Sequence, residues 1–310
     1  MNEGLRAGAI EYLALRCAMG YKTGDHEWLL REFLGYLDGQ HASVILVSHA
    51  VTWACLPQDA SSKWRNHRLS VIRSFAAHVH TSNPDGAELI PAGLLPARLV
   101  RAVPYLYSPA HIITLMGAAN SLTPAVRGLT LATIIGLMTA TGMRIGEVVA
   151  LNTTSIDAER VTVLVRGKGG TQRLLPVHVT TLAAVRSYLK TSRALVGTPP
   201  DDALFVNVKA TRPLANNIQT LFRAIATECQ LPPGPGIRKP RLHDLRHTFA
   251  VNTLIDAHRN GVAVEARIAA LSTYLGHVSP ADTYWYLTAS PELLQLVNDR
   301  VLNHHYGELS

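Results

Sequence analysis

Apolar residues recur with a period near 3.6 through most of the first 80 positions, the pattern of amphipathic helices. Leu5 to Met19 makes one such stretch, with Leu5, Ile10, Leu13 and Leu15 among its apolar positions. Asp25 can cap a second that runs to about Gly39, where Leu29, Leu30, Phe33, Leu34 and Leu37 repeat at helical spacing. A third covers Ser48 to Leu56 and stops at Pro57. In Ser62 to His80, Trp64, Leu69, Ile72, Phe75 and Val79 share one stripe, and Arg65, His67, Arg68 and Arg73 lie around it.

The periodicity dissolves between Thr81 and Ser108, where Asn83-Pro84-Asp85-Gly86, Pro91, Pro96 and Pro104 interrupt any helix. Ser108 then reads as an N-cap with Pro109 at the first helical position. Thr123 is expected to cap a helix from Pro124 to Thr141 that ends at Gly142, and another helix starts near Arg144. Val161 to Val165 and Gln172 to Val177 have strand composition around a Gly167-Lys168-Gly169-Gly170 turn, a hairpin. Helical spacing returns over Thr180 to Ser192, Leu214 to Glu228, Leu242 to Ala257, Val264 to Tyr274 and Pro291 to His304. The fold class is mainly α with a small β-hairpin (α+β). The expected domains are a helical one over residues 1–90, a linker over 91–107 and a larger one over 108–310.

With 47% hydrophobic and 16% charged residues in 310, the chain can bury a core, and disorder is excluded. The apolar run Gly128 to Met143 is shorter than a bilayer span and reads as a buried helix. Cys17, Cys55 and Cys229 are odd in number and far apart, which argues against a disulfide framework or a structural zinc. Met1 to Gly8 has no apolar secretory region, so no secretory signal is visible, and with the scattered cysteines a cytoplasmic location is expected. The net charge of +7 is uneven: 10 basic and 9 acidic residues up to Tyr107, then 19 and 13 beyond it. Arg160, Arg166, Lys168 and Arg173 form one basic cluster, and Arg238, Lys239, Arg241 and Arg246 another. Such a surface suits a polyanion, with nucleic acid and a merely soluble arginine-rich surface both open at this point.

Several polar residues stand where chemistry could use them. Arg144 follows the most apolar stretch of the chain at a helix start, and Glu147 is three residues on, close enough to pair with it. Lys168 sits on a glycine-flanked turn that could approach a phosphate, although the phosphate-loop spacing GxxxxGK[ST] is absent. His243 and Arg246 share a helical face, and His243 and His247 stand four apart, the spacing of a metal pair. There is no HExxH and no evident third ligand. Leu275-Gly276-His277 precedes Thr283-Tyr284-Trp285-Tyr286. Each feature is weak alone; the order Arg, Lys, His-x-x-Arg, Gly-His, Tyr is specific.

That order resembles the tyrosine recombinase (phage-type integrase) family. Thr141 to Leu151 (TGMRIGEVVAL) looks like its first arginine box, and Arg166 to Val177 (RGKGGTQRLLPV) like its catalytic hairpin. Leu242 to Ala250 (LHDLRHTFA) looks like the HxxR box, and Leu275 to Tyr286 (LGHVSPADTYWY) like the final box. The resemblance runs over most of Ser108 to Pro291. It departs at Thr171-Gln172, where the family carries a second hairpin lysine, and at Asp256 to Ala270, which is longer than the compact family form. The continuation TYWYLTASPELL is closer to recombinases of transposon-like elements than to chromosome-dimer resolvases.

By resemblance, Tyr286 attacks a scissile DNA phosphate to give a 3′-phosphotyrosine and a free 5′-hydroxyl, with Tyr284 the rival nucleophile. Arg144 and Arg246 hold the nonbridging oxygens, Lys168 protonates the leaving oxygen, His243 handles the tyrosine proton and His277 hydrogen-bonds the phosphate. Glu147 orients these groups from behind. Arg166, Arg173, Lys239 and Arg241 are the further expected DNA contacts. The resemblance implies no metal, no ATP and no other cofactor. It implies an N-terminal helical, SAM-like core-binding domain and a C-terminal catalytic domain, clamped on double-stranded DNA at a core-type site without an arm-binding domain. A homotetramer on two recombination sites is expected, with other recombinases of the same element as further partners, and for the Pro291 to His304 helix packing on its own domain and docking on a neighbouring protomer are both open. The implied function is site-specific recombination or integration for a mobile element. The alternatives are an accessory DNA-binding subunit with a catalytic partner, type IB topoisomerase-like activity, and a metal hydrolase using His243 and His247.

Overall fold

The computed structural model describes residues 3–21, 23–96, 103–167, 170–232, 239–276, 281–284, 286 and 295. Contacts divide the chain into two compact units, Met1–Arg101 and Ala102–Ser310.

The first unit holds four helices, α1 (Glu3–Ala18), α2 (Gly24–Gly39), α3 (Val47–Cys55) and α4 (Ser62–Ser82). The stripe of α2 is wholly inside: Leu29, Leu30, Phe33, Leu34 and Leu37 pack with Leu69, Ile72 and Phe75 of α4 and Trp53 of α3. Asp25 lies inside the first turn of α2 rather than at its cap, which Thr23 occupies without a side-chain bond. Arg68, expected around the stripe of α4, belongs to it instead. Its guanidinium lies 3.7 Å from the Trp53 ring centroid and donates Nη2 to the Trp53 carbonyl and Nη1 to Glu32, while the buried Nε is left without a hydrogen-bond partner.

The second unit is built around α6 (Ala125–Thr141), preceded by α5 (Pro109–Asn120) and followed by the one-turn α7 (Ile145–Val149). Ser108 caps α5 as its sequence indicates, accepting from the His111 amide at 3.2 Å. Thr123 does not cap α6; Pro124 occupies the N-cap position, and the Thr123 carbonyl accepts from Arg127. Leu131, Ile134, Ile135 and Met138 put most of the circumference of α6 in the core. Around it pack α8 (Val179–Val196), α9 (Ala215–Glu228) and α10 (Asp244–Arg259). The chain goes on through α11 (Val264–Leu275) and the short α12 (Ala281–Tyr284). The expected Pro291 to His304 helix lies, but for Gln295, outside the described residues.

The hairpin gains a short edge strand, giving an antiparallel sheet in the order β1 (Ile156–Asp157), β2 (Thr162–Arg166), β3 (Gln172–Pro176). Two residues carry too little pattern for β1 to be read from sequence. Val163 faces Leu175 and Val165 faces Arg173 across β2 and β3. Val163, Val165 and Leu175 are buried, so the alternation of a strand also turns Arg173 inward and leaves Arg166 exposed. Among the described residues no helix is long and apolar enough to cross a membrane.

Candidate active site

The site forms where two helices end. Gly142 terminates α6 with φ +61° and Gly276 terminates α11 with φ +67°, the left-handed conformation that glycine adopts most readily. A helix C-terminus leaves carbonyls without internal partners and carries the negative end of the helix dipole, so it attracts cations. Three arginines answer it at α11. Arg173 Nε donates to the Tyr274 carbonyl at 2.9 Å, Arg246 Nη2 to that of Leu275 at 2.9 Å, and Arg144 Nη1 to the same Leu275 oxygen at 3.4 Å. Arg144 Nη2 lies 3.5 Å from the Gly276 oxygen, a long contact.

Arg246 also donates Nη1 to the Gly142 carbonyl at 2.8 Å and so joins the ends of α6 and α11. It is 1% exposed. Burial and the like charge of Arg144 bring its pKa down to about 10, against the pull of Tyr286 and Glu147, and it stays cationic at neutral pH.

Arg144 occupies the N-cap position of α7, anchored by the buried Met143 before it. The Glu147 carboxylate accepts from the Arg144 amide at 2.9 Å and from Nη1 at 3.1 Å, as the reciprocal half of a capping box does. From the other side Arg173 grips the same carboxylate with both forks, at 3.0 and 2.8 Å. Burial alone would raise the Glu147 pKa; the bonds from Arg173 and Arg144 outweigh it and hold the carboxyl below its ordinary value. The side chain of Arg144 remains 40% exposed, whereas that of Arg173 is 16% exposed.

His243 takes the N-cap position of α10. The turn is fixed by the buried Asp244, which accepts from the Arg241 amide at 3.0 Å and from its guanidinium at 2.7 and 3.2 Å. Surrounding protein first, then Arg246, lower the His243 pKa, although its ring still meets solvent. One turn on, the His247 ring stands edge-on to His243 at 4.9 Å between centroids and 5.5 Å from the Tyr286 ring. Tyr286 is 3% exposed and packs with Val251, Leu254, Ile268 and Leu275, while Tyr284 is 50% exposed.

Arg144, Glu147, Arg246, His243 and Tyr286, singled out from the sequence, thus gather at the facing ends of α6, α7, α10 and α11. Lys168 and His277 lie outside the described residues. Arg166 and Lys239 are exposed. Arg241 is half-exposed and paired to Asp244. Arg173, expected on the DNA, has its guanidinium committed inside the protein. Sequence reading also missed His247 as a neighbour of the tyrosine, having weighed it only as a metal ligand. Among the described residues no three His, Cys, Asp or Glu side chains converge to hold a metal ion.

The comparisons with known proteins agree. Residues 108–292 match the phage integrase family. The Sinorhizobium fredii protein y4rB, whose name classes it as an integrase/recombinase, is 35% identical over 94% of this chain and 94% of its own. Among solved structures, the XerH site-specific recombinase in a post-cleavage complex with its difH substrate superposes with a TM-score of 0.68 at 16% identity, covering 88% of this chain and 78% of XerH. A lambda integrase tetramer bound to a Holliday junction gives 0.58 at 15%, over 91% and 76%. The chain belongs to the phage integrase family of tyrosine recombinases. Its function is site-specific DNA recombination.

Proposed function

We propose that this recombinase cuts and rejoins double-stranded DNA for a mobile element through a 3′-phosphotyrosine on Tyr286, without metal or ATP. The observation that carries this is the meeting of Arg144 and Arg246 on one carbonyl beside a buried tyrosine. Two guanidiniums fixed before the reaction can stabilise the charge that builds on the nonbridging oxygens as the phosphate becomes pentacoordinate. Arg246 is held rigidly by two carbonyls, whereas the exposed side of Arg144 is open to a ligand.

Tyr286 Oη forms the bond to phosphorus as the bond to the 5′-oxygen breaks. His243, neutral at pH 7 through its lowered pKa, takes the phenolic proton directly or by way of His247, and Lys168 supplies a proton to the departing 5′-oxygen. His277 donates to the phosphate. Glu147 sets the angle of Arg144. The energy of the broken phosphodiester stays in the phosphotyrosine, so rejoining needs no nucleotide, and the cationic side chains take the place of a metal. Arg166, Lys239 and Arg241 contact the DNA backbone outside the scissile step, and two sites are brought together by four protomers.

A nicked suicide duplex from an end of the host element tests this. In EDTA and without nucleotide, a covalent adduct should form, and the released strand should carry a 5′-hydroxyl that polynucleotide kinase labels without phosphatase treatment. Binding with no adduct, or an adduct lost to EDTA, contradicts the proposal.

A further inference from the structure

We infer that Arg173 is a positioning residue for Arg144, acting through Glu147, and not a contact to DNA; the inference rests on the proposed role of Arg144 at the phosphate. The register of the sheet turns Arg173 to the face shared by Val163, Val165 and Leu175, away from that of the exposed Arg166. All three of its guanidinium nitrogens are engaged: Nε by the Tyr274 carbonyl, Nη1 and Nη2 by the two oxygens of Glu147. A methyl group on Gly276 would come within 3.0 Å of Nη1, so backbone closes that side as well.

This arrangement decides where Arg144 points. Glu147 is buried and anionic, with two cations on it. Arg173 takes both oxygens from one side. Arg144 then needs only Nη1 for the carboxylate, a nitrogen it shares with the Leu275 carbonyl, and Nη2, in long contact with the Gly276 carbonyl, stays on the exposed side of the residue. Without Arg173, Arg144 would be the cation left on a buried charge, and Coulomb attraction in a poorly solvated place would draw it inward, off the phosphate. The same fork ties β3 to α7 and to the end of α11, so one side chain sets the spacing of three elements that border the site.

The test uses the full chain and the nicked duplex, with either an ordinary phosphate or a methylphosphonate at the cut. Replacing a nonbridging oxygen by methyl removes one charge and lessens the demand on Arg144. Arg173→Gln, Arg173→Lys, Glu147→Gln, the double variant Arg173→Gln/Glu147→Gln and Arg144→Ala are compared with wild type. Gel shifts at several salt concentrations establish that each variant folds and binds.

Arg173→Gln and Arg173→Lys should bind as wild type does, with an unchanged salt slope, and cleave the ordinary phosphate about 10²-fold more slowly, the scale of loss from small misplacement. Lysine should not rescue, because a point charge cannot replace the fork. On methylphosphonate the deficit should shrink at least tenfold, as it should for Arg144→Ala, and the double variant should be no slower than Glu147→Gln. A binding loss with the salt slope reduced by about one, as for a lost phosphate contact, overturns the inference. So does a deficit that methylphosphonate leaves intact in Arg173→Gln while it relieves Arg144→Ala. If Arg144→Ala itself is not relieved, the assigned role of Arg144 fails and takes the inference with it.

Discussion

Arg144 and Arg246 donate to one oxygen, the carbonyl of Leu275, at 3.4 and 2.9 Å. Two like charges meet at a helix end because that end offers carbonyls that need donors, and Glu147 lies close enough to offset the repulsion. Their spacing is thereby set by backbone before any phosphate arrives.

Arg246→Lys keeps a charge but cannot span the carbonyls of Gly142 and Leu275. It should still fold and bind DNA, and cleavage should fall roughly 10²–10³-fold, as when a fixed transition-state donor is lost. Arg246→Ala should in addition cost about 1–3 kcal/mol, the penalty for buried acceptors left unpaired. Cleavage rates and urea unfolding check both; a lysine variant with normal rate would contradict the geometry.

Gly142→Ala should impair stability and chemistry together. Its φ of +61° strains any other residue, and a Cβ there would meet Phe249 Cδ1 at 2.5 Å and Leu275 Cδ2 at 3.0 Å. Because the Gly142 carbonyl holds Arg246, a shift of this turn should slow cleavage as well as lower the melting temperature. A lowered melting temperature with an unchanged cleavage rate would separate the two.

Much of this site was legible because its residues sit in contiguous boxes whose order and spacing are specific, and the helices carrying them have clear apolar stripes. What the sequence left hidden depends on long-range geometry. The shared Leu275 carbonyl is backbone and has no side-chain signature. His247 becomes a neighbour of Tyr286 only when α10 meets the chain after α12. Arg68 reads as polar surface until Trp53 supplies a face to stack on. Arg173 is different: its parity with Val165 and Leu175 was available in the hairpin pattern, but its place in a basic cluster drew it toward DNA.

His243 should give cleavage an acid limb set lower than a free histidine would. Its pKa is lowered from 6.5, so the neutral ring persists below that pH, and the single-turnover rate should stay level down to about 6.5 before it falls. The unfolded chain binds this proton more tightly than the folded one. The stabilising effect is therefore complete above 6.5 and lost as pH falls below it. A rate falling with a midpoint above 6.5, in a protein still bound to DNA, would contradict this assignment.

Glu147→Gln should destabilise the protein by about 3 kcal/mol at pH 7, the scale for breaking a buried ion pair. The native carboxyl titrates below its ordinary 4.5, so its contribution is present above 4.5 and is lost as pH falls through the lowered value. Wild type and variant should therefore converge in urea midpoint only in acid. A constant difference between pH 7 and pH 3 would mean that packing, and not charge, accounts for the loss.

The proposed cleavage turns on attack by the buried Tyr286 and not by the exposed Tyr284. Wild type, Tyr286→Phe and Tyr284→Phe on the same nicked duplex, resolved on a denaturing gel, test it directly. Equal DNA binding by all three is expected, with a covalent adduct for wild type and Tyr284→Phe that vanishes with Tyr286→Phe. An adduct that survives Tyr286→Phe, or one lost with Tyr284→Phe, would contradict it.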